Sequence, residues 1–453
     1  VPTIEVANYL YSLCKEFPKL VVLIHSKQTA STIANVIDKL QDSKESYLII
    51  GTPLSLGLLR GNESICIIED SDSSHYKRYE HPYINMTYAI KKYAQIIQSK
   101  CILGKSMLSL GDLKNGIKPT YISSRLTATP QSVFIDMTKE QNRYFSKYLI
   151  DHIAEHDERT ILFINRKGYY SFIMCKDCGQ IALCIKCKSP ITLSVYTKES
   201  YTCNRCQTNY PSTLSCNTCH GWNLKGYGVG TNQVYSEISK RFPKRQVWMF
   251  DNDSIKSDLQ RKSVKQAFLE SDDGILIGTE LILEDPGIKA PFVAAIHIDN
   301  LFSIPDFQIH EQVLAMLIKL TEKTTSHPIA IQTRLINHPL FQHYSRQDIK
   351  QFMSAELEER KLGDLPPYSL FIKLTLENKN SQVLKKQLEA THALLKPICP
   401  SLLSYPSFAK KNQHVFLITV DRKKWMLDEE NLRGVLTSFP YQWDIEVDPK
   451  SVL

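Results

Sequence analysis

The sequence lacks any uninterrupted apolar run approaching the about 18 residues of a membrane-spanning helix, and no secretory hydrophobic segment opens it. These absences predict a protein without a membrane partner. A strong charge of either sign is also missing, since the formal net charge is +8 over 453 residues. This mild basic excess is compatible with phosphate contacts but is equally typical of a solvated surface. The chain begins at Val1 rather than Met, which indicates that a segment precedes it.

Cysteine, by contrast, is concentrated in one region. Eight of the 12 cysteines form four C-x-x-C pairs: Cys175/Cys178, Cys184/Cys187, Cys203/Cys206 and Cys216/Cys219. A pair on a tight turn directs two thiolates at one metal ion, and two pairs complete a tetrahedral zinc site. Disulfides would require an oxidising compartment, and four consecutive pairs argue against a thioredoxin-like redox motif. The sequence therefore predicts two closed, structural Zn²⁺ sites, and spacing alone leaves open which pairs share an ion.

Three aromatic residues accompany the cysteines: Tyr201, Tyr210 and Trp222. They could stack on nucleic-acid bases, because the charges of this region nearly cancel once thiolates and zinc are counted. Packing against the metal-binding turns is the alternative, and it is favoured for rings in such a small module.

On both sides of the cysteines, short β-branched runs alternate with helical patterns. Strands are predicted in "LVVLIHS", "YLIIGT", "SICIIED", "KCILG", "TILFIN", "QVWMFDND", "GILIGTE" and "FVAAIHID". Helices are predicted in "ASTIANVIDKL", "YFSKYLIDHIAEH", "QVYSEISKRF" and "HEQVLAMLIKL". Such alternation is typical of α/β folds with doubly wound parallel sheets, and the cysteine insertion suggests two lobes. After residue 345, a charged helix, a Pro-Pro turn and a strand begin what reads as a small α+β domain.

Several stretches in a fixed order carry a resemblance to a known family. They are "ILFINRKGYYSFIMCKDCG", the eight cysteines, "GYGVGTNQVYSEISKRFP", "FDNDS", "IPDFQIHEQ", "LPPY" and "EVDPKSVL". With these, the chain resembles the bacterial PriA family (primosomal protein N′), superfamily 2 DNA helicases of replication restart. The resemblance is nearly collinear over the whole sequence.

The resemblance implies four units. They are RecA-like lobe 1 (1–137), RecA-like lobe 2 (138–170 and 226–345), an inserted zinc module (171–225) and a C-terminal α+β domain (346–453). It also implies a nested metal arrangement, with one zinc ion on Cys175, Cys178, Cys216 and Cys219. The second ion would lie on Cys184, Cys187, Cys203 and Cys206. A bacterial cytoplasmic, nucleoid-associated location follows from the same resemblance.

The lobe 1 motifs that such a motor needs for ATP and Mg²⁺ are degraded here. In an ungapped match, Thr3 occupies the position of the Walker A lysine, and "GKS" at Gly104-Lys105-Ser106 lacks the required preceding glycine. The family's Asp-Glu pair after the third strand becomes Glu69-Asp70, so the two acid lengths are exchanged. A displacement of about 1 Å can cost on the order of 10²-fold in rate. Glu69 and Asp70 are thus predicted to be vestigial, and acids that merely end a strand are an equal alternative.

The lobe 2 motifs are changed as well. The family's arginine-finger segment falls on Lys319–Ser326, where Lys323 keeps a positive charge without the bidentate guanidinium. Two earlier family arginines fall on Gln308 and Gln312, and only Glu311 is retained. Losing all these elements while keeping eight cysteines argues against ATP and Mg²⁺ as cofactors, and whether the chain is an enzyme stays open.

Three functions remain at this point. The first is a PriA-like protein that binds forked, branched or single-stranded DNA and replication-restart proteins, with lost or impaired ATPase activity. The second is an active ATP-dependent 3′-5′ DNA helicase with divergent motifs. The third is a zinc-bearing interaction scaffold without DNA binding, and a steep salt dependence of DNA affinity would separate the first from the third.

Overall fold

The computed structural model describes the chain except residues 15, 18–19, 43–44, 60–63, 79–83, 119, 121–131, 141, 143, 166–171, 187, 194–199, 204–207, 212, 228–229, 305, 408–411, 428–429, 450 and 453. Within the described part, parallel strands alternate with helices over most of the chain. The predicted α/β class is therefore confirmed.

Lobe 1 contains four short strands in two parallel pairs, β1 with β2 and β3 with β4. Its elements are α1 (Ile4–Leu13), β1 (Val21–Ile24), α2 (Ala30–Asp42), β2 (Leu48–Gly51), β3 (Ile65–Ile68), α3 (Met86–Ile96), β4 (Lys100–Leu103) and α4 (Leu110–Lys114). Among the described residues the two pairs are separate sheets rather than one doubly wound sheet. Ser109 begins α4 with a capping box, in which its side chain and that of Asp112 satisfy each other's backbone N–H groups.

Lobe 2 is built on a six-stranded sheet of order β12-β13-β6-β14-β15-β5, in which every pairing is parallel. Its strands are β5 (Val133–Asp136), β6 (Thr160–Ile164), β12 (Val247–Phe250), β13 (Ile275–Gly278), β14 (Phe292–Ile296) and β15 (Ala330–Thr333). Its helices are α5 (Lys147–Glu155), α6 (Thr231–Arg241), α7 (Asp258–Glu270), α8 (Glu280–Glu284), α9 (Ile309–Thr321) and α10 (Pro339–Ser345). The sheet thus starts at β5, slightly before the predicted start of lobe 2.

Alternate residues of each central strand enter two different cores. In β6, Ile161 and Phe163 pack into one core cluster, and Leu162 and Ile164 pack into the other. A strand buried on both faces reads as a continuous apolar run, which is why "TILFIN" is recognisable in the sequence.

The cysteine module is an antiparallel sheet of order β10-β9-β8-β7-β11. Its strands are β7 (Phe172–Cys175), β8 (Thr192–Leu193), β9 (Tyr201–Thr202), β10 (Asn209–Tyr210) and β11 (Leu224–Tyr227). The first and last strands of the insertion are neighbours, with Phe172 opposite Tyr227 and Cys175 opposite Leu224.

The C-terminal region forms an antiparallel sheet of order β17-β18-β16-β19 with its own apolar core. Its elements are α11 (Ile349–Leu362), β16 (Ser369–Glu377), α12 (Ser381–Leu395), β17 (Leu403–Pro406), β18 (Gln413–Asp421), α13 (Arg422–Leu427), α14 (Glu430–Thr437) and β19 (Trp443–Val447). Within the described residues, no helix combines the length and apolar character that a bilayer crossing needs. The exact division of the chain into four units stays a prediction.

Candidate functional site

The outer two cysteine pairs come together at one point of the module. The Sγ atoms of Cys175, Cys178, Cys216 and Cys219 all lie within 4.8 Å of one another. Cys175 Sγ is 3.6 Å from Cys219 Sγ, and Cys178 Sγ is 3.6 Å from Cys216 Sγ. Tetrahedral bonds of about 2.3 Å would require sulfur–sulfur separations slightly below 4 Å. This four-cysteine cluster can therefore hold a metal ion, and it joins the pairs that the resemblance implies.

A repeated backbone hairpin aims these thiols. The N–H of Cys175 donates to the carbonyl of Gln180, and the N–H of Gly179 donates back to the carbonyl of Cys175. The same two hydrogen bonds recur at Cys216. Its N–H donates to the carbonyl of Gly221, and the N–H of His220 donates to the carbonyl of Cys216. The fourth residue after each first cysteine has positive φ, 72° at Gly179 and 58° at His220. The left-handed residue closes each tight turn so that both sulfurs lie on its inner side.

Backbone N–H groups favour the thiolate form on one side of the cluster. The N–H of Thr218 donates to Cys216 Sγ at 3.4 Å. Burial opposes ionisation of Cys216, but N–H groups of Cys219 and Thr218 outweigh it and hold its pKa at about 7. Across the cluster, burial raises the pKa of Cys178 to about 12, and hydrogen bonding with the thiols of Cys219, Cys216 and Cys175 raises it further. The cluster thus contains one thiol that ionises readily and one that does not. A divalent cation would neutralise the thiolate charge.

The inner cysteine pairs are described in part. Cys184 and Cys203 are fully buried in the module core, whereas Cys187 and Cys206 lie outside the described residues. The same hairpin occurs at Cys184. The N–H of Cys184 donates to the carbonyl of Ser189, and the N–H of Lys188 donates to the carbonyl of Cys184. Lys188 also has positive φ, at 60°. The local backbone at Cys184 is therefore the one found in the four-cysteine cluster.

The three aromatic residues of the module take different positions. Tyr210 is buried, and its hydroxyl donates to Cys184 Sγ at 3.0 Å while accepting from the N–H of Ile185. Tyr201 packs at the edge of the same core. Trp222, in contrast, is 71% exposed. The favoured packing role is confirmed for the two tyrosines, but it is wrong for Trp222, whose ring is free to meet a ligand.

One arginine joins the module to lobe 2. Arg334, just after β15, donates from Nη1 to the carbonyl of Gly179 at 2.9 Å. Its backbone N–H donates to Asp299, which also accepts from the hydroxyl of Thr333. Burial raises the pKa of Asp299 to about 6 despite these donors. A metal-binding turn is thereby connected to the ends of two strands of the lobe 2 sheet.

The two acids predicted to be vestigial, Glu69 and Asp70, face lobe 2. Lys319 Nζ, on α9, lies 2.6 Å from Asp70 Oδ2, at the end of β3. Burial raises the pKa of Glu69, as do the neighbouring carboxylates of Asp70 and Glu322, while Lys319 lowers it. Three carboxylates and one lysine are thus grouped where the lobes meet, whereas a triphosphate would require cations and backbone N–H groups.

The remaining motif positions of lobe 1 have structural partners. Lys105 Nζ contacts Asp72 at 2.7 Å and Asp112 at 2.5 Å, so its charge is used within lobe 1. Ser106 donates across the cleft to Glu322 at 3.4 Å. Thr3 begins α1, where its hydroxyl accepts from the N–H of Val6. Thr3 thus caps a helix, Lys105 binds two carboxylates of its own lobe, and Ser106 connects the two lobes.

The arginine-finger positions of lobe 2 do not present a free cation to the cleft. The Lys323 side chain is buried, and its Nζ donates to the carbonyl of Asp285 at 2.6 Å. Burial lowers the pKa of this amine to about 8. Glu311 accepts from the N–H of Leu110 and from Arg360, so it joins lobe 1 to α11. The sequence predicted that Lys323 keeps a charge, but not that the charge is turned inward.

Sequence reasoning missed a basic cluster between lobe 1 and the C-terminal domain. Burial lowers the pKa of Lys114, and the nearby charges of Arg422 and Lys423 lower it further. Lys114 Nζ also donates to the carbonyl of Pro367. Members of this cluster are some 300 positions apart in sequence, so no local charge pattern could have revealed it.

The comparisons with known proteins agree over most of the chain. No protein-family model matches it. It is 27% identical over 436 residues to the replication restart protein PriA of Chlamydia pneumoniae, covering 88% of this chain and 58% of the relative. It is 26% identical over 356 residues to PriA of Bacillus subtilis, covering 74% and 44%. PriA of Thermotoga maritima is 23% identical over 410 residues, covering 87% and 55%.

The chain spans about half the length of the curated relatives it matches. Among solved structures, S. cerevisiae Dbp5 bound to RNA and ADP BeF3 is 12% identical, with coverage of 79% and 80% and a TM-score of 0.41. These three relatives are all replication restart proteins, and two of them match 87% and 88% of this chain. The chain is a divergent PriA-like protein.

Proposed function

We propose that this protein binds forked or branched DNA in replication restart and primosome assembly, with lost or impaired ATPase and helicase activity. The observation that carries the proposal is the ion pair of Asp70 with Lys319. A residue at the position of the water-activating acid is paired with a lysine from the arginine-finger segment. The acid that a motor would aim at the attacking water is thus bound by a lysine of the other lobe.

Further contacts across the lobes support a nucleotide-independent arrangement. Lys27 pairs with Asp258, Glu5 pairs with Arg261 at 3.4 Å, and His75 contacts Glu284 at 3.1 Å. These side-chain contacts connect the two lobes directly, and they support the proposal that ATP turnover is lost or impaired.

The module is proposed to hold two structural Zn²⁺ ions. Four thiols with no other ligand type suit zinc, which favours closed Cys₄ sites. The first ion would lie in the four-cysteine cluster of Cys175, Cys178, Cys216 and Cys219. The second would lie on Cys184, Cys187, Cys203 and Cys206, and the hairpin at Cys184 supports it.

Two surfaces are proposed to meet DNA. The basic cluster of Lys114, Arg422 and Lys423 offers phosphate contacts, although Asp448 accepts from Arg422 and offsets part of its charge. Trp222 offers an exposed ring for stacking on an unpaired base. A fork supplies both elements, because it has duplex phosphates next to single-stranded bases.

The test is ATP binding and DNA-stimulated ATP hydrolysis by the zinc-loaded protein with forked DNA. The proposal predicts no turnover above a no-enzyme control, and a fork affinity that falls steeply with salt. DNA-stimulated turnover would overturn it in favour of an active helicase. Absence of salt-dependent DNA binding would overturn it in favour of an interaction scaffold.

A further inference from the structure

A second group of metal-ligating side chains lies in lobe 2, away from all the cysteines. His152 Nε2 is 2.9 Å from Glu158 Oε1, and His327 Nε2 is 3.2 Å from Glu158 Oε2. The ligand atoms of all three residues lie within 4.8 Å of one another. One carboxylate between two imidazoles is a donor set that binds divalent transition metals.

The three side chains come from separate parts of the chain. His152 is on α5, Glu158 is in the turn before β6, and His327 precedes β15. All of them therefore lie at the amino ends of the parallel strands. The cysteine module leaves lobe 2 after the carboxyl end of β6, so the two groups are at opposite edges of the sheet.

The surroundings hold these ligands in place. The ring of His152 stacks on Phe292 at 3.7 Å between centroids. The N–H of His327 donates to the carbonyl of Pro291, and the hydroxyl of Thr324 bonds both that carbonyl and the carbonyl of His327. Side-chain exposure is 9% for His152, 19% for Glu158 and 32% for His327. The cluster is thus held by its contacts with Phe292, Pro291 and Thr324, and it is open to solvent on the His327 side. An ion can approach from that side.

We propose that His152, Glu158 and His327 form a binding site for a divalent transition-metal ion of the zinc class. Ligand atoms that share an ion at bonds of about 2.0–2.2 Å lie slightly more than about 3 Å apart. The separations of 2.9 and 3.2 Å between the imidazole nitrogens and the Glu158 carboxylate are close to that value. Solvent would supply the fourth ligand. Each neutral imidazole would carry its proton on Nδ1 and present the lone pair of Nε2 to the ion.

The test uses the tag-free, full chain with its cysteines already saturated with zinc and excess metal removed. Calorimetric titration with Zn²⁺ should detect one further equivalent. With Co²⁺, that equivalent should give visible d–d bands without the near-ultraviolet charge-transfer band of thiolate ligation. The His327→Ala and Glu158→Gln variants should each weaken this binding more than about 100-fold. Replacing even a hydrogen-bond partner of a metal ligand lowers metal affinity by about 10–100-fold. The matched control is His392→Ala, which removes an exposed histidine of α12.

Folding is checked separately, because His152 is buried and its replacement could destabilise lobe 2. His327→Ala and Glu158→Gln are therefore the primary variants, and their circular dichroism and metal-free melting temperatures should match those of the parent within a few degrees. Added Zn²⁺ should raise the melting temperature of the parent and of His392→Ala only. The proposal is overturned if no further equivalent binds, or if both primary variants still bind it.

Discussion

Lys319 and Asp70 join the two lobes through a 2.6 Å ion pair between α9 and the end of β3. The two residues are 249 positions apart in the sequence. Both side chains are partly exposed, at 31% and 26%. The pair is therefore a reversible tether that solvent and salt can reach.

Reversing the charge at this tether should loosen the interlobe contact. Lys319→Glu places a carboxylate beside Asp70 and Glu69, and the unfolding free energy should fall by about 1 kcal/mol or less, because such pairs are screened. Small-angle scattering at low salt should show a larger radius of gyration than for the parent. Lys244→Glu, an exposed lysine just after α6, is the control and should leave scattering unchanged. A variant as compact as its parent at low salt would contradict the tether.

Zinc content should follow the cysteine sets. Cys216→Ser should reduce the bound zinc from two ions to one, and Cys203→Ser should do the same, because each set loses one of four ligands. Elemental analysis after gel filtration measures the content. Cys14→Ser, outside the module, should keep both ions. Loss of both ions in each module variant would instead mean that the two sites fold as one unit.

A side chain at Gly179 should destabilise the protein because it would meet Arg334. Its φ is +72°, and a Cβ atom would lie 3.0 Å from Arg334 Nη1. Gly179→Ala should cost about 1–2 kcal/mol from the backbone conformation, plus the loss of the arginine contact. The matched control is Gly116→Ala, with φ of +65° and nothing within 4 Å of the added Cβ. Urea unfolding should show the larger loss for Gly179→Ala, and equal losses would refute the role of Arg334.

The basic cluster should contribute to DNA affinity through phosphate. Lys423→Gln should weaken fork binding and reduce the slope of log affinity against log salt by about 0.9 for a single duplex phosphate contact. Fluorescence anisotropy over a salt series measures both. Lys240→Gln, an exposed lysine on α6, should change neither value. Equal slopes for the parent and Lys423→Gln would show that Lys423 makes no phosphate contact and that DNA binds at another surface.

The inward-facing lysine should make stability depend on pH. Lys323 has a pKa of about 8 in the folded chain against 10.5 for an ordinary lysine, so the unfolded chain binds more protons between these values. Stability contributed by Lys323 should therefore rise as the pH rises from about 8 to 10.5, by at most about 1.4 kcal/mol per pH unit.

Lys323→Met removes this dependence. The difference in unfolding free energy between the parent and the variant, from denaturant titrations, should be flat below pH 8 and grow in favour of the parent above it. A difference that stays flat up to pH 10.5 would show that the amine is solvated when folded.

The sequence predicted the elements that have a local signal. All eight predicted strands and four predicted helices are present, because buried parallel strands read as short apolar runs between amphipathic helices. Two strands of the lobe 2 sheet were missed, β5 (Val133–Asp136) and β15 (Ala330–Thr333), whose runs are short and include polar residues. The cysteine pairs were equally readable, since each is a tight turn.

Contacts between distant residues were beyond the sequence. Spacing left the sharing of cysteines open, and the resemblance supplied the outer pairing of Cys175 and Cys178 with Cys216 and Cys219. The charges of Glu69 and Asp70 were visible, but the lysine that pairs with Asp70 was not. Nothing near Lys323 in the sequence predicts that its amine turns towards the carbonyl of Asp285, because that orientation depends on how loops of lobe 2 pack.

The pairing of β7 with β11 has a consequence for how this protein can change. Phe172 lies opposite Tyr227, so the chain leaves lobe 2 for the cysteine module and returns at nearly the same place. An insertion with adjoining ends imposes little strain on its host, whatever its length. Lineages could therefore enlarge, shrink or retune the module while the sheet of lobe 2 stays intact. Because its two ends are adjacent, the whole module could be replaced by a short hairpin turn or transferred to another host.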